Sequence, residues 1–334
     1  MRVTASDVAA ACGVSRGTVD RALKDRPGIS RETRKLILQT AEKMGYKPDF
    51  LGQSLVTGRT MSIGVVVFDV YARFFGQLVT GIETAARELG YFANLALTHK
   101  DGETERQCLT RLVERKCDGI LLFSCNRGPA FDAFLFNLKT PIVSMMNRIN
   151  DSLDYIGIDE KQASADAVRF LRRHRHENIA YVSAQTSRGA NYNMDAVERR
   201  LAGFASACRE LGLPCDGEII TGKDYVRKAL GRLGETNAPT ALLCSNDIYA
   251  LELMKALKDG GRRVPGDISV MGFDNIDVLG FIEPRLATVG FPIEELGRRA
   301  ANMLIARLEE DAASPPVLEL LPHEIIAGGS VADI

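Results

Sequence analysis

Residues 4–23 read TASDVAAACGVSRGTVDRAL, and the division of the whole chain follows from how this stretch folds. Thr4 and Asp7 stand three apart, the spacing of a capping box that opens a helix. Val8, Ala9 and Cys12 give that helix an apolar face, and Gly13, tolerant of positive φ, ends it. Ser15 caps a second helix that runs to about Leu23. Ala9, Gly13 and Val19 then supply a small residue at a helix crossing, a glycine at the turn and a branched residue packing back. This is helix-turn-helix spacing. Ser30 caps a third helix through Met44, with Leu36, Ile37, Ala41 and Met44 predicted inward and Gly45 as its stop.

A three-helix bundle without a nucleic-acid role has the same spacing, so charge has to discriminate. Residues 1–47 hold ten Lys/Arg against five Asp/Glu, a surplus of five positive charges. The rest of the chain holds 32 against 38, a deficit of six, although the net charge of all 334 residues is only -1. A basic head on an acidic body points to a polyanion-binding module. The residues predicted to face outward from the second helix are Arg16, Gly17, Asp20, Arg21 and Lys24. Arg21 suits a bidentate bond to guanine O6 and N7, and Arg16 a base edge or phosphate. Gly17 sits in the first turn, where lost helix propensity costs least and the backbone can approach a groove. Asp20 is four residues from both Arg16 and Lys24, so it can pair along the helix and aim an arginine, or accept from cytosine N4. Thr4, Ser15 and Thr18 complete the predicted DNA-contacting set.

Beyond Tyr46 comes KPDFLGQSLVTGRT, where Pro48 can open a helix and Asp49 to Val56 can form about two turns. Such a helix is marginal alone, and Gly52 weakens it further. From residue 61 onward, apolar runs alternate with amphipathic stretches. SIGVVVF, FANLAL, GILLF, PIVSM, IAYVS, ALLCS and ISVMGF read as buried parallel strands. QLVTGIETAARELG and PIEELGRRAANMLIARLEE read as helices between them. The alternation gives right-handed βαβ units, enough for two doubly wound sheets with a ligand cleft at their carboxyl ends.

The stretches TASDVAAACGVSRGTVDRAL, ISRETRKLILQTAEKMGYKPD, SLVTGRT and IGVVV together resemble the lactose-repressor (LacI/GalR) family of bacterial transcription regulators. RLAGF at 200–204, SNDIYALELMKAL at 245–257, VPGDISVMGFDN at 264–275 and LATVGFPIEELGRRAA at 286–301 extend the resemblance to the family's periplasmic-binding-protein-like sensor. The implied fold class is α/β: a helix-turn-helix head over 1–47, a hinge helix and linker over 48–60, and a two-lobed sensor and dimerisation domain over 61–334. One lobe is expected to take about 61–158 plus part of 292–320. The other takes most of 159–290 and the C-terminal end. The resemblance also implies a homodimer on a palindromic double-stranded operator, with Leu55 of each hinge wedging into the minor groove. A small effector, a sugar, polyol or sugar derivative, would occupy the cleft.

Polar residues just past strand ends are the cleft candidates: Asp69, Asn147, Arg148, Asn246 and Asp274, with Arg200 before Gly203-Phe204 and Phe74 and Phe75 as aromatic cover. Such residues suit hydroxyl pairs and the C–H face of a sugar ring. By resemblance, Asn147, Arg200, Asn246 and Asp274 fall at ligand-contact positions. Asn246 also suits a helix cap, Arg200 a salt bridge and one of the phenylalanines the core. The family commonly has aspartate at position 147 and often glutamine or aspartate at position 291, where Phe291 stands here. That less acidic, more aromatic site suggests a ligand with an anionic group or fewer hydroxyls, held by Arg148 and Arg200.

Other classes find little support. Asp69 after the first strand lacks the second acid of a phosphatase motif, since Tyr71 stands there. There is no G-x-S-x-G elbow, P-loop or other cofactor motif. His174 and His176 in RRHRHEN read as a solvated helix end, not as metal ligands. The seven cysteines include no C-x-x-C pair and suit reduced thiols in the cytoplasm. The N-terminus lacks the apolar segment of a secretory signal, which argues against a transport-binding protein, and no run is long enough to span a membrane. A regulator switched by a protein partner, or acting as an activator, fits the same fold.

Overall fold

Among the described residues, three short capped helices make the N-terminal unit. In α1 (Ala5–Cys12), Thr4 and Asp7 form the complete capping box, with Asp7 Oδ2 accepting from the Thr4 N–H at 2.8 Å. Gly13 then takes φ 65° and turns the chain, letting the Val14 N–H reach the Ala9 carbonyl at 3.0 Å. Ser15 caps α2 (Arg16–Leu23) through the Thr18 N–H, and Ser30 caps α3 (Arg31–Lys43) through the Thr33 N–H. Each cap contributes about 1 kcal/mol, much of what holds so small a unit together. Its core is Val8, Ala9, Val19, Ala22, Ile37 and Ala41, two from each helix. Leu36, expected inward, is 49% exposed, because the buried stripe of α3 runs through Ile37 and Ala41 and position 36 lies about 100° off it.

The structure, a computed structural model, describes residues 3–46, 58–184, 189–214, 219–309 and 314–334. The chain divides into two units, Met1–Thr60 and Met61–Ile334. The expected hinge helix, Leu55 included, lies outside the described residues.

The larger unit contains two six-stranded sheets. In lobe 1 the strands are β1 (Ser62–Val67), β2 (Phe92–Leu97), β3 (Gly119–Leu122), β4 (Ile142–Met145), β5 (Asp154–Ile158) and β11 (Leu318–Leu321), ordered β11-β5-β4-β3-β1-β2 and parallel throughout. In lobe 2 they are β6 (Ile179–Ser183), β7 (Ile219–Thr221), β8 (Ala241–Cys244), β9 (Ser269–Asp274), β10 (Ala287–Gly290) and β12 (Glu324–Ile326). These run β12-β10-β9-β8-β6-β7, with only β12 antiparallel. The chain passes between lobes after β5, after β10 and after β11. FANLAL, expected to be buried, is an edge strand with Phe92 70% and Leu95 46% exposed, since only β1 flanks it.

The helices of lobe 1 are α4 (Arg73–Glu88), α5 (Gly102–Glu114), α6 (Pro129–Leu138) and α11 (Ile293–Glu309). Lobe 2 carries α7 (Glu160–Arg173), α8 (Asp195–Glu210), α9 (Tyr225–Arg232), α10 (Asp247–Asp259) and a 3-10 turn over Asp277–Phe281. Helices α4 and α11 cross at van der Waals contact. A Cβ on Gly81 would meet the Glu294 carbonyl oxygen at 2.0 Å, and one on Gly297 the Leu78 oxygen at 2.2 Å. His176 is fully buried, contrary to the solvated end expected for it. Its Nδ1 lies 2.9 Å from Thr240 Oγ1 and its Nε2 3.1 Å from the Ala332 oxygen, tying the end of α7 to the C-terminal segment.

Strand order fixes where a ligand can sit. Strand direction of travel reverses between β1 and β3 in lobe 1, and between β6 and β8 in lobe 2. Crevices open at the carboxyl ends of strands at such switch points.

Candidate functional sites: recognition helix and interlobe cleft

On α2, Val19 and Ala22 face the core while Arg16, Gly17, Arg21 and Lys24 are exposed and Thr18 and Asp20 half-exposed. Asp20 pairs with Lys24 at 2.8 Å, not with an arginine. Arg16 and Arg21 make no ion pair among the described residues, so their donors stay available to an outside partner. Packing does not require Gly17. A Cβ there would meet nothing nearer than Ser15 Oγ at 3.8 Å, so whatever demands a glycine lies outside the folded head. Thr4 and Ser15 spend their hydroxyls on helix caps.

The cleft of the larger unit has a free volume of about 190 Å³. Loops after β1, β3 and β4 supply one wall, and α8 with the loops after β8 and β9 the other. Of the expected residues, Asp69, Phe74, Phe75, Asn147, Arg200, Asn246 and Asp274 all line it. Arg148 and Phe291 do not. Arg148 is directed away from the lining, 3.1 Å from Asp151 and over the Tyr155 ring, beyond the bend that Met146 makes at φ 59°. Phe291 lies behind the lining, edge-on to Phe74 and Phe273 at 6.3 and 6.4 Å.

Arg200, on α8, is buried and heavily committed. Its Nε and Nη2 donate to Glu160 at 2.6 and 3.2 Å, and its Nη1 donates to the Ser245 oxygen at 2.6 Å and lies 3.2 Å from Asp274 Oδ1. The guanidinium carbon sits 3.6 Å from the Phe273 ring centre. Desolvation works against this charge, yet Glu160 and Asp274 hold Arg200 protonated and raise its pKa. Burial pushes Glu160 and Asp274 above the ordinary carboxylate range, opposed by Arg200. Asp247 is raised by burial and then by repulsion from Asp274. It accepts from Thr288 Oγ1 at 2.6 Å and from the Ile276 N–H at 2.9 Å. Glu160 and Asp274 flank the guanidinium, and Asp247 and Asp274 titrate as a pair. Asp274 also has φ 111°, a strained backbone for a non-glycine residue that the surrounding contacts hold in place.

The remaining candidates divide their polar atoms between structure and cleft. Asn147 donates to the Ser124 oxygen at 3.0 Å and accepts from the Ala196 N–H at 3.1 Å, so its amide ties the two lobes. Asn246 caps α10 through the Tyr249 N–H at 2.9 Å while lining the cleft, and Asp69 Oδ1 accepts from the Tyr71 and Ala72 N–H groups at 3.0 Å. Ser245 Oγ is buried beside the Tyr181 hydroxyl, away from the free volume. Phe68, Phe75 and Phe123 form an edge-to-face cluster with centroids 4.9–5.7 Å apart, and Phe74 joins it. Two salt bridges also join the lobes, Arg127–Glu198 at 2.6 Å and Arg73–Asp277.

The sequence reading missed several lining residues, among them Lys100, Tyr192, Asn193 and Tyr249, and missed Glu160 behind them. Glu160 carries a local signal, an acid following Asp159 at the end of the strand-like run DYIGI. The suggestion that Arg148 and Arg200 serve as anion holders does not fit this geometry: one points away and the other is neutralised. Among the described residues there is no metal-spaced group of His, Cys, Asp and Glu, and no helix long and apolar enough to cross a membrane. Cys12, Cys108, Cys117, Cys125 and Cys244 are unbridged thiols.

Comparison with known proteins bears on both sites. Residues 4–49 match the family described as bacterial regulatory proteins, lacI family, and residues 168–331 a periplasmic binding protein-like domain. The chain is 31% identical to the HTH-type transcriptional repressor CytR of Escherichia coli K12, over 92% of this chain and 90% of that protein. Its fold matches the lac repressor dimer bound to operator and the anti-inducer ONPF with a TM-score of 0.87, at 22% identity, covering 99% of this chain and 100% of the other. It also matches a complex of the transcriptional regulator CelR with cellobiose, TM-score 0.72 at 26% identity, covering 98% and 100%.

Proposed function

Since the chain belongs to the LacI family of bacterial transcription regulators, we propose that it is a cytoplasmic, homodimeric repressor of a carbohydrate or polyol utilisation operon, controlled by an effector in the interlobe cleft. Its second helix reads the major groove of a palindromic operator, with Arg21 on a guanine and Gly17 allowing the backbone to approach. Leu55 of the hinge is the minor-groove wedge, a role that rests on the resemblance alone. The effector lies between the aromatic wall of lobe 1 and Arg200, Asn246 and Asp274 of lobe 2.

The observation that carries this reading is the strained Asp274 beside a fully braced Arg200, facing a cleft whose two walls belong to different lobes. A ligand touching both walls favours one lobe arrangement over another, and that differential affinity is what couples it to DNA binding. The relatives support the partners named: one is a lac repressor dimer on operator DNA, another a regulator bound to cellobiose. The test is a thermal-shift screen of sugars, polyols and sugar derivatives, followed by operator titrations with each hit. A hit that changes operator affinity by about 5–150-fold supports the reading, and its sign distinguishes inducer from corepressor. Hits that leave operator binding untouched overturn it.

A further inference from the structure

Among the described residues, two cations line the cleft, Arg200 and Lys100, and one of them is neutralised. Arg200 is matched by Glu160 and Asp274. Lys100 is half-buried and makes no ion pair or hydrogen bond among the described residues. Its Nζ lies 5.8 Å from the Phe68 ring centre, on the lobe 1 side of the cleft. Asp69, the acid at this end, spends Oδ1 on two backbone N–H groups and is not within ion-pair distance of Lys100. Its stem packs at the cleft wall over the Phe68 ring, and the described residues set no acid against its charge.

The backbone beneath Lys100 is built for this placement. His99 and Lys100 have φ 51° and 60°, two successive non-glycine residues in the left-handed region. The turn is pinned by the Thr98 N–H on the Val67 oxygen at 3.0 Å and the His99 N–H on the Phe68 oxygen at 2.8 Å, and Asp101 then caps α5. The turn therefore hangs from the same strand end that supplies Phe68 and Asp69. On the opposite wall, the uncommitted Nδ2 of Asn246 suits a hydroxyl group.

We propose that Lys100 is an anion-binding, specificity-determining residue of the cleft, so that the effector is a hydroxyl-bearing molecule with a phosphate or carboxylate at its lobe 1 end. This deepens the reading of the cleft as an effector site and rests on it. The full-length protein should be titrated calorimetrically with neutral sugars and polyols and with their matched phosphate monoesters and uronic or aldonic acids, alongside Lys100→Gln. The expected result is that an anionic member binds at least roughly tenfold tighter than its neutral parent. Lys100→Gln should remove that preference and its salt dependence while the neutral parent keeps its affinity. Whether the ester or the acid binds tighter identifies the anion, and either supports the proposal. Binding of neutral members alone, or an anion preference that survives Lys100→Gln, overturns the Lys100 assignment and leaves the cleft reading standing. Failure of every member to bind overturns both.

Discussion

The recognition helix and the interlobe cleft spend their charged side chains in opposite ways. On α2, Arg16 and Arg21 are exposed and uncommitted, and the folded head does not need Gly17. In the cleft, Arg200 has used most of its donors and Asn147 all of its amide before any ligand arrives. The head presents unspent hydrogen bonds to a partner that is itself rigid and charged. The cleft spends Arg200 and Asn147 on its own framework, while among the described residues Lys100 and the amide nitrogen of Asn246 stay uncommitted.

That contrast breaks first, and hardest, at Glu160. Glu160→Gln leaves a buried guanidinium without its main counter-charge and should destabilise the larger unit by about 3–5 kcal/mol in denaturant unfolding. A cost under about 1 kcal/mol would mean Arg200 is not braced as described. Arg21→Ala should do the reverse, weakening operator binding by about 1–3 kcal/mol while stability stays within about 0.5 kcal/mol. Equal loss on random DNA would make Arg21 a phosphate contact. Gly17→Ala sharpens the point further: the head should keep or gain stability, by at most about 1 kcal/mol, yet bind operator less well. Unchanged affinity would remove the close-approach role.

A further effect concerns protons. Asp247 and Asp274 are raised by burial, so the native state holds protons that the unfolded chain releases. Stability of the larger unit should therefore fall as pH rises from the ordinary aspartate range, near 3.8, through neutrality. Asp247→Asn should flatten that slope when unfolding is followed against pH. A slope identical to the parent's would show that the pair does not titrate there.

Much of this arrangement was legible before any coordinates, and the parts that were not share a cause. Caps at Thr4, Ser15 and Ser30 depend on residues three apart, so the sequence displays them directly. Apolar runs show strands for the same reason. What a run does not display is its place in the sheet, and FANLAL lies at an edge only because the chain returns to the other side of β1. Arg148, Phe291 and Leu36 were misplaced by a single step of side-chain direction. Glu160, Lys100 and the buried state of His176 depend on partners 40 to 156 residues away or on a turn's backbone, which no local pattern records. In the cleft, position past a strand end pointed to Asp69, Asn147, Asn246 and Asp274, but not to the rest of the lining or to which of their atoms were already spent.

The account stands on coupling between its two regions. The direct measurement is operator affinity, by fluorescence anisotropy, across a titration of a ligand shown to bind the cleft, in the parent and in Asn246→Ala. The account predicts a ligand-dependent shift in operator affinity of about 5–150-fold, with Asn246→Ala moving the curve to higher ligand concentration. A ligand that saturates the cleft while operator affinity stays constant would contradict it.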